Sequence, residues 1–205
     1  MEVAGPVVVD DAIAAPIMAM DFFGGGIIDV GEEETEAVSL VLGKQWRGGD
    51  EGLKVLKDLP EIWSIALDNA KITEKSLPYL AELPNLNSLS VHNTNLSRES
   101  LRKLREQKPE LEIQARGEAM LGVNGDIGVS PMVLTAVFPD SGAYRAGLRA
   151  GDVIRTVDGS GTKDFTDLTI SVYGRKPGEK IRVEYERAGT KNSTEVTLTQ
   201  RANNQ

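Results

Sequence analysis

The side chains that could carry out catalysis are few in this chain of 205 residues. It contains no cysteine and one histidine, His92, which is therefore its one candidate imidazole base. Cysteine nucleophiles, disulfides, thiolate metal sites and multi-histidine metal sites are excluded by composition. The glycine triplet at residues 24–26 lacks the lysine and the helix that a phosphate-binding loop needs. We therefore expect no enzyme, no metal and no cofactor.

The formal net charge of −8 is concentrated at one end of the chain. Residues 1–43 contain nine acidic side chains and no Lys or Arg, whereas the remainder contains 22 acidic and 23 basic side chains. A nearly neutral mixture offers no basic surface for phosphates, so we expect neither nucleic acid nor an anionic membrane as a partner. No apolar run reaches the roughly 18 residues of a membrane-spanning helix, and the amino terminus lacks the basic start of a secretory signal. These features predict a soluble chain with no membrane insertion, in a compartment that the sequence leaves unknown.

Residues 1–36 are apolar but irregular, because prolines, the glycine triplet and an acidic run at 32–34 interrupt any period. We predict an acidic, flexible amino-terminal arm over 1–36. Repulsion between its charges favours a solvated tail. Docking of its apolar stretch at 12–23 is the alternative, since Phe22 and Phe23 would be more stable under cover.

Apolar residues recur about every 24 residues between positions 37 and 114. Ile65 and Leu67 match Leu89 and Val91, and helical stretches are predicted at 76–83 and 97–107. A short strand, a turn and a helix in each unit are typical of leucine-rich repeats. With Ala70 and Thr94 at positions where many such repeats have Asn, residues 37–114 resemble the bacterial repeats that carry a small residue there.

In a leucine-rich repeat the exposed strand residues form a concave face. Here they are Ser64, Asp68, Ser88, Ser90 and His92, with Ala66 in the same row. The place of His92 in this strand favours a surface or packing role. Interface anchors are usually Trp, Tyr or Arg, so these small polar residues favour a spacer or support over a recognition surface. Both interpretations stay open.

The pattern changes to alternating strands and Gly-rich turns after Gln114. Strands are predicted at 132–137, 153–157, 180–187 and 194–200, with helices at 142–146 and 165–173. The fold class that follows is α+β: a short leucine-rich repeat of the α/β solenoid type, followed by a small β-barrel or sandwich with two helices.

Four motifs of this part carry a family resemblance. They are Met-Leu-Gly-Val at 120–123, Val-Phe-Pro-Asp-Ser-Gly-Ala at 137–143 with Ala-Gly-Leu at 146–148, Gly-Asp-Val-Ile at 151–154, and Lys-Pro-Gly-Glu at 176–179. In order and spacing they resemble the PDZ domains of bacterial high-temperature-requirement (HtrA or Deg) proteases. The resemblance implies a peptide-binding PDZ domain over 116–201 and is compatible with a cell-envelope location.

The loop made by Leu121, Gly122 and Val123 corresponds to the one that binds a peptide's terminal carboxylate in PDZ domains. Its backbone N–H groups would hold the anion, and the strand after it, up to Ile127, would pair with the peptide. Gly125 and Gly128 weaken that strand, which leaves a degenerate, purely structural domain as an alternative.

Helical spacing places Thr166, Ile170 and Tyr173 on the groove side of the second helix, with Leu168 and Val172 toward the core. Because Thr166 stands near the position where domains selective for Ser or Thr have His, we expect an apolar peptide tail. Arg116, just before the loop, is either an attractor of the carboxylate or a solvated surface residue.

The sequence thus predicts a non-enzymatic adaptor that binds protein or peptide C-termini, or extended segments, by β-augmentation. One alternative is a regulatory subunit of an HtrA-like proteolytic system, with a protease as partner, since the separate protease domain of such enzymes is not recognisable here. Another is a purely structural assembly protein.

Overall fold

The computed structural model describes residues 24–30, 38–58 and 62–201, which form two units. The rest of the predicted arm, including its apolar stretch at 12–23, lies outside the described residues, as do residues 59–61 of the repeat region. Within the described part of the chain, no helix is long and apolar enough to cross a membrane.

The first unit is built on a five-stranded sheet in the order β1-β2-β3-β4-β5. Its strands are β1 (Gly25–Val30), β2 (Val38–Leu42), β3 (Ile62–Asp68), β4 (Ser88–His92) and β5 (Glu112–Arg116). β1 pairs antiparallel with β2, and the other pairs are parallel. The prediction of a flexible arm over 1–36 is therefore corrected for these six residues, because the outer edge of β2 offers unpaired backbone groups that β1 satisfies.

Helical segments return the chain between the parallel strands. They are a 3-10 helix at Glu51–Asp58, a 3-10 turn at Glu74–Ser76 that runs into α1 (Leu77–Glu82), and α2 (Arg98–Gln107). Ser97 starts α2 with a reciprocal cap: its hydroxyl accepts the N–H of Ser100, and the Ser100 hydroxyl accepts the N–H of Ser97. Both α-helices lie within the stretches predicted at 76–83 and 97–107.

The register of the sheet reproduces the sequence period. Ile65 stands beside Leu89, and Leu89 beside Ile113, a step of 24 residues at each strand. β2 is one residue out of step, with Leu40 beside Ile65 and an irregularity near Trp63. The alternate residues Leu40, Ile65, Leu89 and Ile113 are almost completely buried and form one continuous core with the returning helices.

The second unit has a four-stranded antiparallel sheet and two small two-stranded sheets. The strands are β6 (Ala119–Met120), β7 (Val123–Gly125), β8 (Leu134–Val137), β9 (Val153–Val157), β10 (Ser160–Gly161), β11 (Lys180–Arg187), β12 (Thr190–Thr197) and β13 (Thr199–Gln200). Its helices are α3 (Gly142–Arg145) and α4 (Phe165–Val172). β10-β9-β11-β12 form the large sheet, β13 pairs with β6, and β7 pairs with β8. A separate core fills this unit, with Met132, Ile154, Val183 and Val196 fully enclosed.

The two units are packed against each other along α4. Ile170 and Tyr173 belong to the core of the first unit, although they lie in the second. The Tyr173 hydroxyl lies 3.1 Å from the Thr94 hydroxyl, and Thr169 Oγ1 donates to the carbonyl of Ile113 at 3.1 Å. α4 therefore has a third neighbour, β5, besides its own core and the cavity described below.

Candidate peptide-binding site

A cavity of about 250 Å³ lies where the two units meet. Its walls come from β5, the loop at residues 121–123, β7, α4 and the residue after β13, Arg201. Leu121, Val123, Leu168 and Val172 make its floor and sides mainly apolar. Apolar concavities with a few fixed polar groups are typical of ligand sites.

The loop turns two successive N–H groups toward this cavity. The carbonyl of Leu121 accepts the N–H of Ala143 at 3.0 Å, and the carbonyl of Gly122 accepts the N–H of Phe138 at 2.9 Å. Because the C=O and N–H of a trans peptide point in opposite directions, the N–H groups of Gly122 and Val123 face away from these partners. Both residues line the cavity, and two adjacent N–H groups of this kind form a backbone nest that is able to bind an anion.

Gly122 is required in this loop by its backbone angle and by its surroundings. Its φ is +85°, which favours glycine. A Cβ at this position would stand 2.1 Å from the Cβ of Ser141, the residue that caps α3 by accepting the N–H of Tyr144. The close approach of the loop to α3 thus fixes the direction of both N–H groups.

β7 presents a free edge to the cavity. Val123 stands opposite Val137 in β8, and the bond from Phe138 to Gly122 makes this a non-hydrogen-bonded pair. The N–H and C=O of Val123 therefore point away from β8, where an extended peptide could pair with them. The strand is short, because an irregularity follows Asn124 and the strand ends at Gly125.

Ile127 was predicted to line the groove but lies in the turn after β7, and it is absent from the cavity wall. The prediction extended the strand beyond Gly125, and the turn at residues 127–128 ends it earlier. Gly128, with φ +71°, belongs to this turn.

The prediction of which residues of α4 face the cavity is corrected by the structure. Thr166 and Ile170 do not line the cavity: Thr166 is buried, and Ile170 lies in the core of the first unit. Leu168 and Val172, assigned to the core alone, also face the cavity. The reason is the third neighbour of the helix, since β5 takes the face that the sequence assigned to the groove.

Three further residues of α4 and its end complete that wall. Phe165 and Thr169 line the cavity beside Leu168, and Tyr173 reaches both the cavity and the core of the first unit. Phe165 and Thr169 were not predicted from the sequence, although their i, i+3, i+4 and i+7 spacing with Leu168 and Val172 could have indicated a shared face.

The wall opposite the loop was not anticipated, because it comes from β5 of the first unit. Gln114, Ala115 and Arg116 line the cavity. Glu112 donates its N–H to Asn87, so the alternate residues Ile113 and Ala115 turn their backbone groups away from β4. Thr169 satisfies the carbonyl of Ile113 from this side. A domain boundary placed between Gln114 and Arg116 concealed this part of the site.

Two arginines complete the site, Arg116 at the end of β5 and Arg201 after β13. Arg201 donates its backbone N–H to Glu118 at 2.7 Å and its Nε to the carbonyl of Gly117 at 3.2 Å. The pKa of Arg201 is lowered because burial removes water from its guanidinium and because Arg116 is positively charged.

The residues predicted for the concave face lie on the same face of the first sheet as Gln114 and Arg116, in the neighbouring strands, but they do not line the cavity. Ser64, Ser88 and Ser90 are half-buried there. His92 Nδ1 lies 2.8 Å from Asp68 Oδ1, and both side chains are about half exposed. Among the described residues, no group of three or more His, Asp or Glu could hold a metal ion.

Comparison with known proteins finds similarity mainly in the second unit. Residues 109–198 match the family model described as PDZ domain. The periplasmic pH-dependent serine endoprotease DegQ of Escherichia coli (strain K12) is 34% identical over 65 residues, 32% of this chain and 14% of DegQ. A second relative is "Putative serine protease HhoB" of Synechocystis sp. (strain ATCC 27184 / PCC 6803 / Kazusa). It is 38% identical over 81 residues, which are 38% of this chain and 19% of HhoB.

A solved structure of the HtrA-type protease AlgW with a decapeptide is 24% identical, with a TM-score of 0.38. The match covers 51% of this chain and 35% of AlgW. This chain thus spans less than a fifth of the length of DegQ or HhoB. It carries a PDZ domain whose relatives are found in HtrA-type proteases.

Proposed function

We propose that this chain is a non-enzymatic adaptor that binds the C-terminal segments of other proteins. The observation that carries the proposal is the nest formed by the N–H groups of Gly122 and Val123, which opens into an apolar cavity. A peptide carboxylate is the anion that suits this combination, because a terminal carboxylate can reach the nest while the last side chain fills the cavity.

The edge of β7 supports binding of an extended segment behind the carboxylate. Val123 directs its N–H and C=O away from β8, and β-augmentation uses such unpaired groups. Val123 is the one residue of β7 before the register irregularity at Asn124 whose backbone groups point outward in this way. The affinity therefore depends strongly on the last few residues of the ligand. This supports a moderate affinity and selection by the cavity.

The cavity favours an apolar side chain at the end of the peptide. Phe165 stands at the start of α4 on the cavity side, beside Thr166, which is near the position of the histidine in domains selective for Ser or Thr. Leu168 and Val172 continue the apolar surface along the helix. We therefore propose Val, Leu, Ile or Phe as the preferred last residue.

We propose that residues 37–114 are a short leucine-rich repeat array that supports the PDZ domain. The step of 24 residues between paired strands and the continuous core of Leu and Ile side chains support this assignment. Because Ile170 and Tyr173 enter that core, the array holds α4 in place and so fixes one wall of the cavity. An array that served only as a spacer would not need this contact with α4.

A second candidate function is regulation of a protease. Both curated relatives described above are named as serine proteases, and this chain covers 14% of DegQ and 19% of HhoB. An adaptor that delivers substrates to such an enzyme would bind it stably. Affinity purification from the source cells, followed by mass spectrometry, would favour this role if a protease is recovered in stoichiometric amounts. The name of DegQ also suggests a periplasmic location, which cell fractionation would test.

The adaptor proposal is tested with the full chain and a library of peptides with random C-terminal sequences. Each enriched peptide is then measured by fluorescence anisotropy with a free carboxylate and with an amidated terminus. We expect amidation to weaken binding about 100-fold, because it removes the charge that the nest holds. If no peptide binds, or if amidated peptides bind equally well, the proposal is wrong and a structural role is favoured.

A further inference from the structure

Two arginines are held at the end of the cavity that contains the N–H nest. Arg116 and Arg201 both line this cavity. Arg201 is tied by its Nε to the carbonyl of Gly117, just before the strand that leads into the loop. Arg116 Nη2 donates to Gln114 Oε1 at 3.2 Å. Neighbouring groups therefore keep both guanidinium groups beside the cavity.

The ion pairs of these two guanidinium groups can be compared with those of three other arginines. Among the residues that the structure describes, no carboxylate forms an ion pair with Arg116 or Arg201. Arg105, Arg175 and Arg187, which are partly buried, each contact an aspartate. Arg116 is exposed and Arg201 is partly buried, and the described residues leave both of them open to an anion from a ligand.

Two acidic residues, one next to Gly117 in the chain and one in the same row of the first sheet as Arg116, form no ion pair with either arginine in the described structure. Glu118 follows Gly117 but is exposed, and it pairs with neither arginine within the described chain. Asp68 lies on the same face of the first sheet as Arg116, and it is held by His92 and Asn69. Repulsion from Arg116 and loss of water both disfavour the charge of Arg201. An anion supplied by a ligand would remove both penalties.

We propose that this site selects peptides with Asp or Glu as the next-to-last residue, whose carboxylate binds to Arg116 and Arg201. This inference rests on the proposed function and names the class of partner. The terminal carboxylate occupies the nest of Gly122 and Val123, and the last side chain fills the apolar cavity. Successive side chains of an extended strand point in opposite directions. The next-to-last side chain therefore points out of the apolar cavity, toward Arg116 and Arg201, which we call the arginine rim.

The two arginines of the rim come from different units, so the rim depends on the packing of the first unit against the PDZ domain. Arg116 is the last residue of β5, so its position is fixed by pairing with His92 in β4. Arg201 comes from the opposite end of the PDZ domain, where its N–H bonds to Glu118. A ligand acid held between them contacts both units at once, and its recognition depends on their fixed arrangement.

The test compares peptides that end in Glu-Val, Gln-Val and Lys-Val, with identical residues before them and a free carboxylate in each. Binding to the full chain is measured at two salt concentrations. We expect Glu-Val to bind roughly tenfold more tightly than Gln-Val at low salt, and Lys-Val to bind more weakly than Gln-Val. The ratio should shrink at high salt because counterions screen the rim.

Variants assign this preference to the two arginines. Arg201→Gln and Arg116→Gln should each reduce the Glu-to-Gln ratio about threefold or more, while the affinity for the Gln-Val peptide changes less. Arg201→Lys should restore part of the ratio because it keeps the charge. Arg182→Gln, which removes an exposed arginine from β11, is the matched control and should leave the ratio unchanged.

The outcomes separate this inference from the proposed function. If Glu-Val and Gln-Val bind equally and amidation still abolishes binding, the adaptor function stands and the acidic preference is wrong. If the Glu preference survives in both arginine variants, the rim is not its source and the inference fails. If no peptide binds to the unaltered chain, both the function and this inference are wrong.

Discussion

Arg105 in α2 and Asp164 before α4 form an ion pair between the two units, with 2.5 Å between Nη2 and Oδ2. Asp164 also caps α4, because its Oδ1 accepts the N–H of Asp167 at 3.1 Å. Both side chains of the ion pair are largely buried. One carboxylate thus starts the helix that lines the cavity and attaches it to the first unit.

Arg105→Ala is expected to lower the free energy of unfolding by about 3 kcal/mol, because Asp164 keeps its charge in a place with little water. Lys103→Ala in the same helix is the control. Lys103 pairs with Glu99 on the surface, where loss of the pair should cost about 0.5 kcal/mol or less. Urea unfolding followed by circular dichroism gives both values. Equal effects of the two substitutions would show that the Arg105 pair contributes no more than a surface contact.

Ile170→Ala should destabilise the first unit although Ile170 belongs to α4 of the second unit. The side chain is completely buried in the repeat core, and truncation of such a residue costs about 2–5 kcal/mol. Both tryptophans, Trp46 and Trp63, lie in the repeat unit, so their fluorescence reports on that unit. We expect their urea midpoint to fall in Ile170→Ala.

The control for this measurement is Tyr144→Ala in α3, where the side chain is 57% exposed. It should leave the midpoint unchanged. If the tryptophan transition of Ile170→Ala coincides with that of the unaltered protein, the two units unfold independently. The role of the repeat unit as a support for the cavity would then be lost.

The 24-residue spacing of β3, β4 and β5 could be predicted from sequence because buried residues recur at the same interval. Each 24-residue step places Ile65, Leu89 and Ile113 in the same layer, so one pattern determines both spacing and core. The strand β1 could not be predicted in this way. Its pairing depends on the open edge of β2, which is a property of the assembled sheet and leaves no period in the sequence.

The loop of the site was located from its motif, because Gly122 meets a backbone requirement that only glycine satisfies easily. The assignment of the faces of α4 to the cavity and the core was not predicted correctly. The sequence shows how many faces of a helix are apolar but not which neighbour covers each one. Ile170 and Val172 are similar in the sequence, yet one faces the repeat core and the other the cavity. Arg116 was noticed only as a neighbour of the loop, and Arg201 not at all, because the two meet only in the folded chain.

Gly122→Ala should abolish peptide binding and reduce stability by roughly 2–4 kcal/mol. The substitution strains a backbone at φ +85° and brings its Cβ to 2.1 Å from the Cβ of Ser141. Relief of this contact must move the loop or α3, and either shift turns the N–H groups away from their present direction. Anisotropy with an enriched peptide and urea unfolding measure the two effects.

Gly147→Ala is the matched control for this loop substitution. Its φ is +82°, but no atom lies within 4 Å of the added Cβ, so only the backbone strain of about 1 kcal/mol remains. Peptide binding should be unchanged in this variant. If Gly122→Ala behaves in the same way as Gly147→Ala, the contact with Ser141 does not fix the loop, and the nest is not the source of affinity.

Gly125→Ala should separate ligand affinity from stability at the other end of the cavity. Its added Cβ would lie 2.6 Å from Met132 Cε, the end of a flexible side chain, and 3.0 Å from Phe165 Cδ2, an atom of the aromatic ring. Movement of the Phe165 ring into the cavity relieves the contact, while loss of a glycine from β7 favours the strand. We expect stability to stay within about 1 kcal/mol and binding of peptides that end in Phe or Leu to weaken about fivefold, with a smaller loss for those that end in Val. Equal losses for all three peptides would show that Phe165 does not limit the size of the cavity, and the last side chain would then have to bind elsewhere along α4.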